Sequence, residues 1–181
     1  GFKYFISYFS NISTPNTVTL HTADGKAVRV LEDNAALKAR IAEYGLPQKE
    51  FFTFTTSEGV SLYGWMIKPP HFDNTKKYPL LMTQYSGPGS QRVSDSWKTD
   101  WEDALAQEGF VIACVDGRGT GFRGEEFKKC TYKDLGNLEV KDQIEAAKYL
   151  GSLQFIDPER IAIYGWSYGG FMALNCILKG N

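Results

Sequence analysis

The 181-residue sequence predicts an α/β fold with a mainly parallel sheet, preceded by a short all-β segment. Three observations carry this. From residue 78 onward, apolar strand patterns alternate with helical ones. Residues 1–31 carry only strand and hairpin signals. The segment Gly165-Trp166-Ser167-Tyr168-Gly169-Gly170 falls at a junction between a strand pattern and a helix pattern.

The opening run Tyr4–Phe9 is aromatic and β-branched. Val18–Thr22 and Ala27–Leu31 flank Asp24-Gly25, a hairpin signal. Three strands without a partner layer make a weak sheet, so this segment reads as the tail of a larger β domain. Residues 33–46 read as a helix, with Asp33 or Asn34 able to cap it and Gly45 and Pro47 to stop it. A second hairpin follows, with Phe51–Thr56 and Val60–Ile67 turning at Glu58-Gly59. Tyr78–Tyr85 is a nearly continuous apolar run, as expected of a strand buried on both faces. Trp97–Glu108 reads as a helix whose inner face is Trp97, Trp101, Ala104 and Leu105. Phe110–Val115 is a buried strand, Asn137–Leu150 a helix with Val140, Ile144, Ala147 and Leu150 inward, Arg160–Tyr164 a strand and Tyr168–Leu178 a helix.

Composition narrows the function classes. With 20 basic and 21 acidic residues the net charge is −1, which offers no electrostatic footprint for nucleic acid or an anionic membrane. No apolar run approaches the ~20 residues needed to cross a bilayer. The three cysteines, Cys114, Cys130 and Cys176, form no C-x-x-C pair, so neither a zinc site nor a disulfide framework is expected. The chain opens Gly1-Phe2-Lys3, which fits an excised fragment.

The chemistry is concentrated around Ser167. A strand, a glycine-flanked serine and a helix in direct succession form the setting of a nucleophile elbow. Its sharp turn strains the serine backbone and lifts the hydroxyl clear of the sheet. The helix that follows aims its first N–H groups at any negative charge developing there. A serine hydroxyl needs a histidine base, and the histidine needs an orienting carboxylate. In this setting the acid and the histidine follow the serine in the chain. His21 and His71 both precede it and read as ordinary surface or loop histidines, so the acid and base are expected beyond Asn181. Tyr85-Ser86-Gly87-Pro88-Gly89 ends the third strand, where a second oxyanion donor is needed. Spacing alone leaves Tyr85 open between that role and a core-edge tyrosine before a Gly-Pro turn. Asp116-Gly117-Arg118-Gly119-Thr120-Gly121 lacks the lysine and hydroxyl of a phosphate-binding loop and reads as a structural turn braced by Asp116 and Arg118.

These segments together resemble the prolyl oligopeptidase family of serine peptidases. The resemblance is carried by Gly165–Gly170, Tyr85-Ser86-Gly87-Pro88, Asp116-Gly117-Arg118-Gly119, Leu31-Glu32-Asp33-Asn34, Arg160-Ile161-Ala162-Ile163 and Asp142-Gln143-Ile144-Glu145-Ala146-Ala147. It implies an α/β-hydrolase fold, incomplete in this chain, preceded by a short all-β segment from a β-propeller. Residues 1–46 would be the propeller end and connecting helix, and residues 47–181 the first part of the catalytic domain. In the implied strand order, Tyr78–Tyr85 lies between the strands of Phe110–Val115 and Arg160–Tyr164, and the last of these awaits a neighbour from beyond residue 181.

The same resemblance implies Ser167 as nucleophile, Tyr85 as oxyanion-hole side chain, and Tyr168 as the second oxyanion donor and wall of a proline pocket. Trp166 would line the substrate site with it. It implies dipeptidyl aminopeptidase activity on peptides with proline or alanine in the penultimate position, with no cofactor and no metal. The parent protein would be homodimeric and secreted, periplasmic or surface-attached, and the isolated chain inactive. A carboxylesterase, an acylaminoacyl peptidase and a non-catalytic fragment remain as alternatives.

Overall fold

In the computed structural model, which describes residues 1–180, two sheets form. The first is the antiparallel meander β1(Tyr4–Asn11), β2(Thr14–Thr22) and β3(Ala27–Glu32). It leaves Tyr4, Ile6, Tyr8, Val28 and Val30 exposed. Helix α1(Ala35–Tyr44) follows and ends where Gly45 takes the left-handed conformation, φ 58°, that a side chain disfavours. The meander is tied to the rest of the chain by Ile12 N–H donating to Asp95 Oδ1 at 2.7 Å and Trp97 N–H donating to Ser10 Oγ at 3.2 Å.

The second sheet comprises β4(Lys49–Thr55), β5(Ser61–Ile67), β6(Tyr78–Thr83), β7(Val111–Asp116) and β8(Ile156–Tyr164), in the order β4-β5-β7-β6-β8. β4 pairs antiparallel with β5 and β5 with β7, while β7, β6 and β8 run parallel. The sheet is therefore mixed rather than mainly parallel, because the opening hairpin contributes two antiparallel joins. The placing of β6 between β7 and β8 matches the order that the family resemblance implied. β8 has no second neighbour among the described residues.

Alternation along β7 builds two cores from one strand. Val111, Ala113 and Val115 face the cluster of Leu62, Met66, Leu80, Met82 and Leu150, whereas Ile112 and Cys114 face Trp65, Ile67, Val93 and Ala106. Helix α4(Leu138–Gly151) covers the first face and α2(Trp101–Gln107) the second. After β6 the chain moves outward to β7 and then returns past β6 to β8. The connections thus leave in opposite directions on either side of β6, and a crevice opens at the carboxyl ends of β6 and β8, the place where open α/β sheets bind ligands.

Several element boundaries differ from the sequence expectation. α2 starts at Trp101, not Trp97, because Asp100 and Asp103 close a capping box there. Its inner face also differs. Glu102, Asp103 and Ala106 are buried while Trp101 and Ala104 are exposed. A charge can face inward here because Arg92 Nη2 meets Glu102 Oε1 at 2.7 Å. β8 begins four residues before the expected Arg160 and contains Pro158, which is accommodated at a register shift between Tyr78 and Leu80. The short helix α3(Glu125–Lys129) carries no periodic signal and was not foreseen.

Candidate active site

Ser167 stands between β8 and helix α5(Tyr168–Lys179), with φ 56° and ψ −116°. A non-glycine residue in that region is strained, and it persists only where its surroundings fix it. Two glycines do so. A Cβ on Gly165 would lie 2.3 Å from the Gly169 carbonyl, and one on Gly169 would lie 2.6 Å from the Gln84 carbonyl oxygen. The turn therefore closes on itself and on the end of β6 at distances no side chain permits. Ser167 is exposed at the tip, and no hydrogen bond engages its hydroxyl among the described residues. Gly170 and Phe171 N–H groups donate to the Ser167 carbonyl at 2.9 and 3.1 Å, which starts the helix. The Tyr168 N–H makes no hydrogen bond among the described residues and is free to serve a ligand at the helix N-terminus.

Tyr85 follows β6 and is half-buried. Its ring lies over Gly87, where a Cβ would sit 2.3 Å from the Tyr85 ring, so the glycine is required by the tyrosine. The Tyr85 and Tyr168 rings are tilted, with centroids 6.2 Å apart. Tyr168 in turn packs on Phe171 at 5.3 Å and donates its hydroxyl to Glu139 Oε1 at 2.7 Å. Burial, and then this bond to a carboxylate, push the Tyr168 phenol above the ordinary tyrosine range, so it remains a donor. Trp166, 77% exposed, borders a cleft of about 350 Å³ with Tyr85, Arg92, Trp101 and Tyr164. Of the four residues singled out from the sequence, Tyr85 and Trp166 line this cleft at the carboxyl ends of β6 and β8, and Ser167 and Tyr168 follow Trp166 at the head of α5. The two histidines lie elsewhere. His21 stacks on Phe5 and meets Ser7 Oγ at 2.9 Å in the meander, and His71 occupies the turn before β6.

The Asp116–Gly121 loop is the braced turn that the sequence suggested. Asp116 Oδ2 accepts the N–H groups of Arg92 and Val93 at 2.9 and 2.7 Å, and burial holds its carboxyl above the usual range in spite of these bonds. Arg118 grips Asp142 of α4. Gly89 N–H donates to Gly119 O, and Gly121 N–H to Ser90 O, each at 2.8 Å, which fastens the loop to the segment that carries Tyr85.

Sequence reasoning missed two residues here. Gln84 is 2% exposed and Glu139 is fully buried, and both contact elements of the site. The available signal was a polar residue inside an otherwise apolar pattern: Gln84 after Leu80, Leu81 and Met82, and Glu139 beside Val140 on the inner face of α4.

Residues 97–181 match the prolyl oligopeptidase family. The chain is 42% identical over 156 residues to dipeptidyl peptidase 4 of Sus scrofa, covering 85% of this chain and 20% of that protein. It is 43% identical over 185 residues to prolyl endopeptidase FAP of Mus musculus, covering 99% of this chain and 24% of that one. The crystal structure of Porphyromonas gingivalis dipeptidyl peptidase 4 superposes with a TM-score of 0.96 at 48% identity, over 99% of this chain and 26% of that chain. The chain thus spans a fifth to a quarter of the length of these relatives.

Proposed function

We propose that the chain, whose residues 97–181 match the prolyl oligopeptidase family, is the nucleophile-bearing part of a dipeptidyl-peptidase-type serine peptidase. The observation that carries this reading is the strained, exposed Ser167 at the head of α5, next to Tyr168, whose ring lies 6.2 Å from that of Tyr85. In this reading residues 1–46 close a β-propeller and residues 47–181 begin an α/β-hydrolase domain.

Ser167 Oγ attacks the carbonyl carbon of the scissile peptide bond, and a histidine outside these residues takes its proton. The negative charge that forms on the carbonyl oxygen is held by the Tyr168 N–H and the Tyr85 hydroxyl. Collapse of this intermediate expels the amine, which takes the proton back from the histidine, and leaves an acyl-enzyme that water hydrolyses by the same steps. The Tyr168 ring, clamped by Glu139 and Phe171, walls the pocket for a proline or alanine side chain, and Trp166 borders the leaving peptide. The chain by itself, with His21 and His71 far from this chemistry, is inert. The whole protein acts outside the cytoplasm or at the cell surface as a homodimer, and its chemistry needs no cofactor.

Two measurements on the full-length protein test this. Turnover of Gly-Pro chromogenic peptides should far exceed that of simple esters and N-acylated peptides, and the reverse order would point to an esterase or acylaminoacyl peptidase. Tyr85→Phe should lower kcat by roughly 10²–10³, about 2.7–4 kcal/mol, with KM little changed, because the lost hydroxyl acts on charge that exists only near the transition state. An unchanged kcat in the purified variant would make Tyr85 a structural residue.

A further inference from the structure

The amide of Gln84, at the end of β6, bonds both the first turn of α5 and the segment that follows Tyr85. Its Nε2 donates to the Gly169 carbonyl in the first turn of α5 at 2.8 Å, and its Oε1 accepts from Ser86 Oγ at 3.0 Å. Ser86 Oγ also accepts from Gln143 Nε2 of α4 at 3.2 Å, and the same nitrogen donates to Val115 O of β7 at 2.9 Å. Gln84, Ser86 and Gln143 are 2%, 1% and 1% exposed. The chain of bonds therefore runs, without water, from the serine turn through the segment after β6 to α4 and β7.

Its physical purpose can be read from what it costs. An amide buried without partners is unfavourable by several kcal/mol, so a leucine would be the simpler residue at position 84. Ser86 adds a second cost, since it holds φ 59°, a left-handed conformation disfavoured for a residue with a side chain. Both are tolerated together because each fixes the other. Ser86 in that conformation turns the chain so that the Tyr85 ring lies over Gly87, and the Gln84 amide anchors the Ser86 hydroxyl while holding the Gly169 carbonyl. Gln84 also fills the space that the two glycines beside Ser167 leave. Its Nε2 would lie 2.6 Å from a Cβ on Gly165, and its backbone carbonyl oxygen 2.6 Å from a Cβ on Gly169.

We propose that Gln84 is a positioning residue that sets the distance between the Tyr85 hydroxyl and the Ser167–Tyr168 turn, with Ser86 and Gln143 as its anchors. This rests on the reading of Ser167 and Tyr85 given above. An oxyanion donor must be held to a fraction of an ångström, and a displacement of about 1 Å costs on the order of 10² in rate. Tyr85 makes no hydrogen bond of its own among the described residues. Its position must come from the backbone on either side, which this network fixes.

The test uses the full-length protein with active sites counted by a fluorophosphonate, so that misfolded molecules are excluded. Gln84→Leu keeps the bulk and removes both bonds. Per titrated site, kcat should fall about ten- to a hundred-fold with KM within about two-fold. In a Tyr85→Phe background the same change should cost little more, because the group it positions is already gone. A normal kcat per site, or losses that simply multiply, would overturn the proposal. Should Gln84→Leu fail to fold, Ser86→Ala breaks the same network and must show the same kcat loss and the same coupling to Tyr85→Phe. Hydrogen exchange supplies a readout independent of turnover. In either variant the amides of residues 85–87 and 168–170 should lose protection together while those of β7 keep theirs. Unchanged protection overturns the proposal even if the protein proves to have no Ser167-dependent peptidase activity, an outcome that would by itself defeat only the functional reading.

Discussion

Ser167→Ala in the full-length protein should abolish peptidase activity and leave the fold unchanged. In a triad enzyme, loss of the nucleophile lowers kcat on the order of 10⁶, and binding with the oxyanion hole retains only about 10³–10⁴ over water. Stability should be preserved because the Ser167 hydroxyl is exposed and unengaged among the described residues, so its removal breaks no buried contact. The alanine would inherit φ 56°, a conformation as strained for it as for serine, and the glycine contacts that impose the turn are untouched. The measurement is fluorophosphonate labelling with Gly-Pro substrate turnover, beside thermal unfolding. A variant that keeps more than a few percent of wild-type turnover, after contamination is excluded, would show that another group is the nucleophile.

The legible part of this site was local. A strand–turn–helix junction depends on residues adjacent in sequence, so Gly165, Ser167 and Gly169 announce the turn, and the apolar runs at β6 and β7 announce the central strands. Elements whose burial is apolar were also legible, as the alternation along β7 illustrates. What escaped reading is the set of buried polar groups with long-range partners. Glu102 faces inward because Arg92 neutralises it from a loop ten residues earlier, and Glu139 because a tyrosine hydroxyl 29 residues later meets it. Gln143 lies inside α4 because Ser86 and the carbonyl of Val115 await it. A periodicity rule assigns such residues to the surface, which is how the inner face of α2 came to be misplaced onto Trp101 and Ala104. β8 also starts at Ile156, before the expected Arg160, because a register shift and an edge position accommodate Pro158.

The largest loss of stability should come from Arg118, which the sequence marked only as part of a turn. Asp142 is wholly buried in the first half of α4, and its carboxylate accepts Arg118 N–H at 2.7 Å, Nε at 3.0 Å and Nη2 at 2.6 Å. The guanidinium meets it in a two-pronged fork that a lysine cannot reproduce. Its remaining contact, Glu58 at 2.8 Å, is with an exposed partner and adds little. Arg118→Met therefore leaves a carboxylate out of water with a single backbone donor, and removal of one partner of such a pair costs about 3–5 kcal/mol. The damage should reach the site, because Gly119 and Gly121 of the same loop bond Gly89 and Ser90 beyond Tyr85. Unfolding in urea, followed as loss of fluorophosphonate labelling at Ser167, measures the effect. Adding Asp142→Asn should restore most of the loss, since the neutral amide oxygen still accepts the Arg118 N–H while the unpaired charge is gone. If Arg118→Met shifts stability by less than about 1 kcal/mol, or Asp142→Asn deepens the loss, then the pair is not a buried charge held by its partner, and the loop is stabilised by its backbone bonds alone.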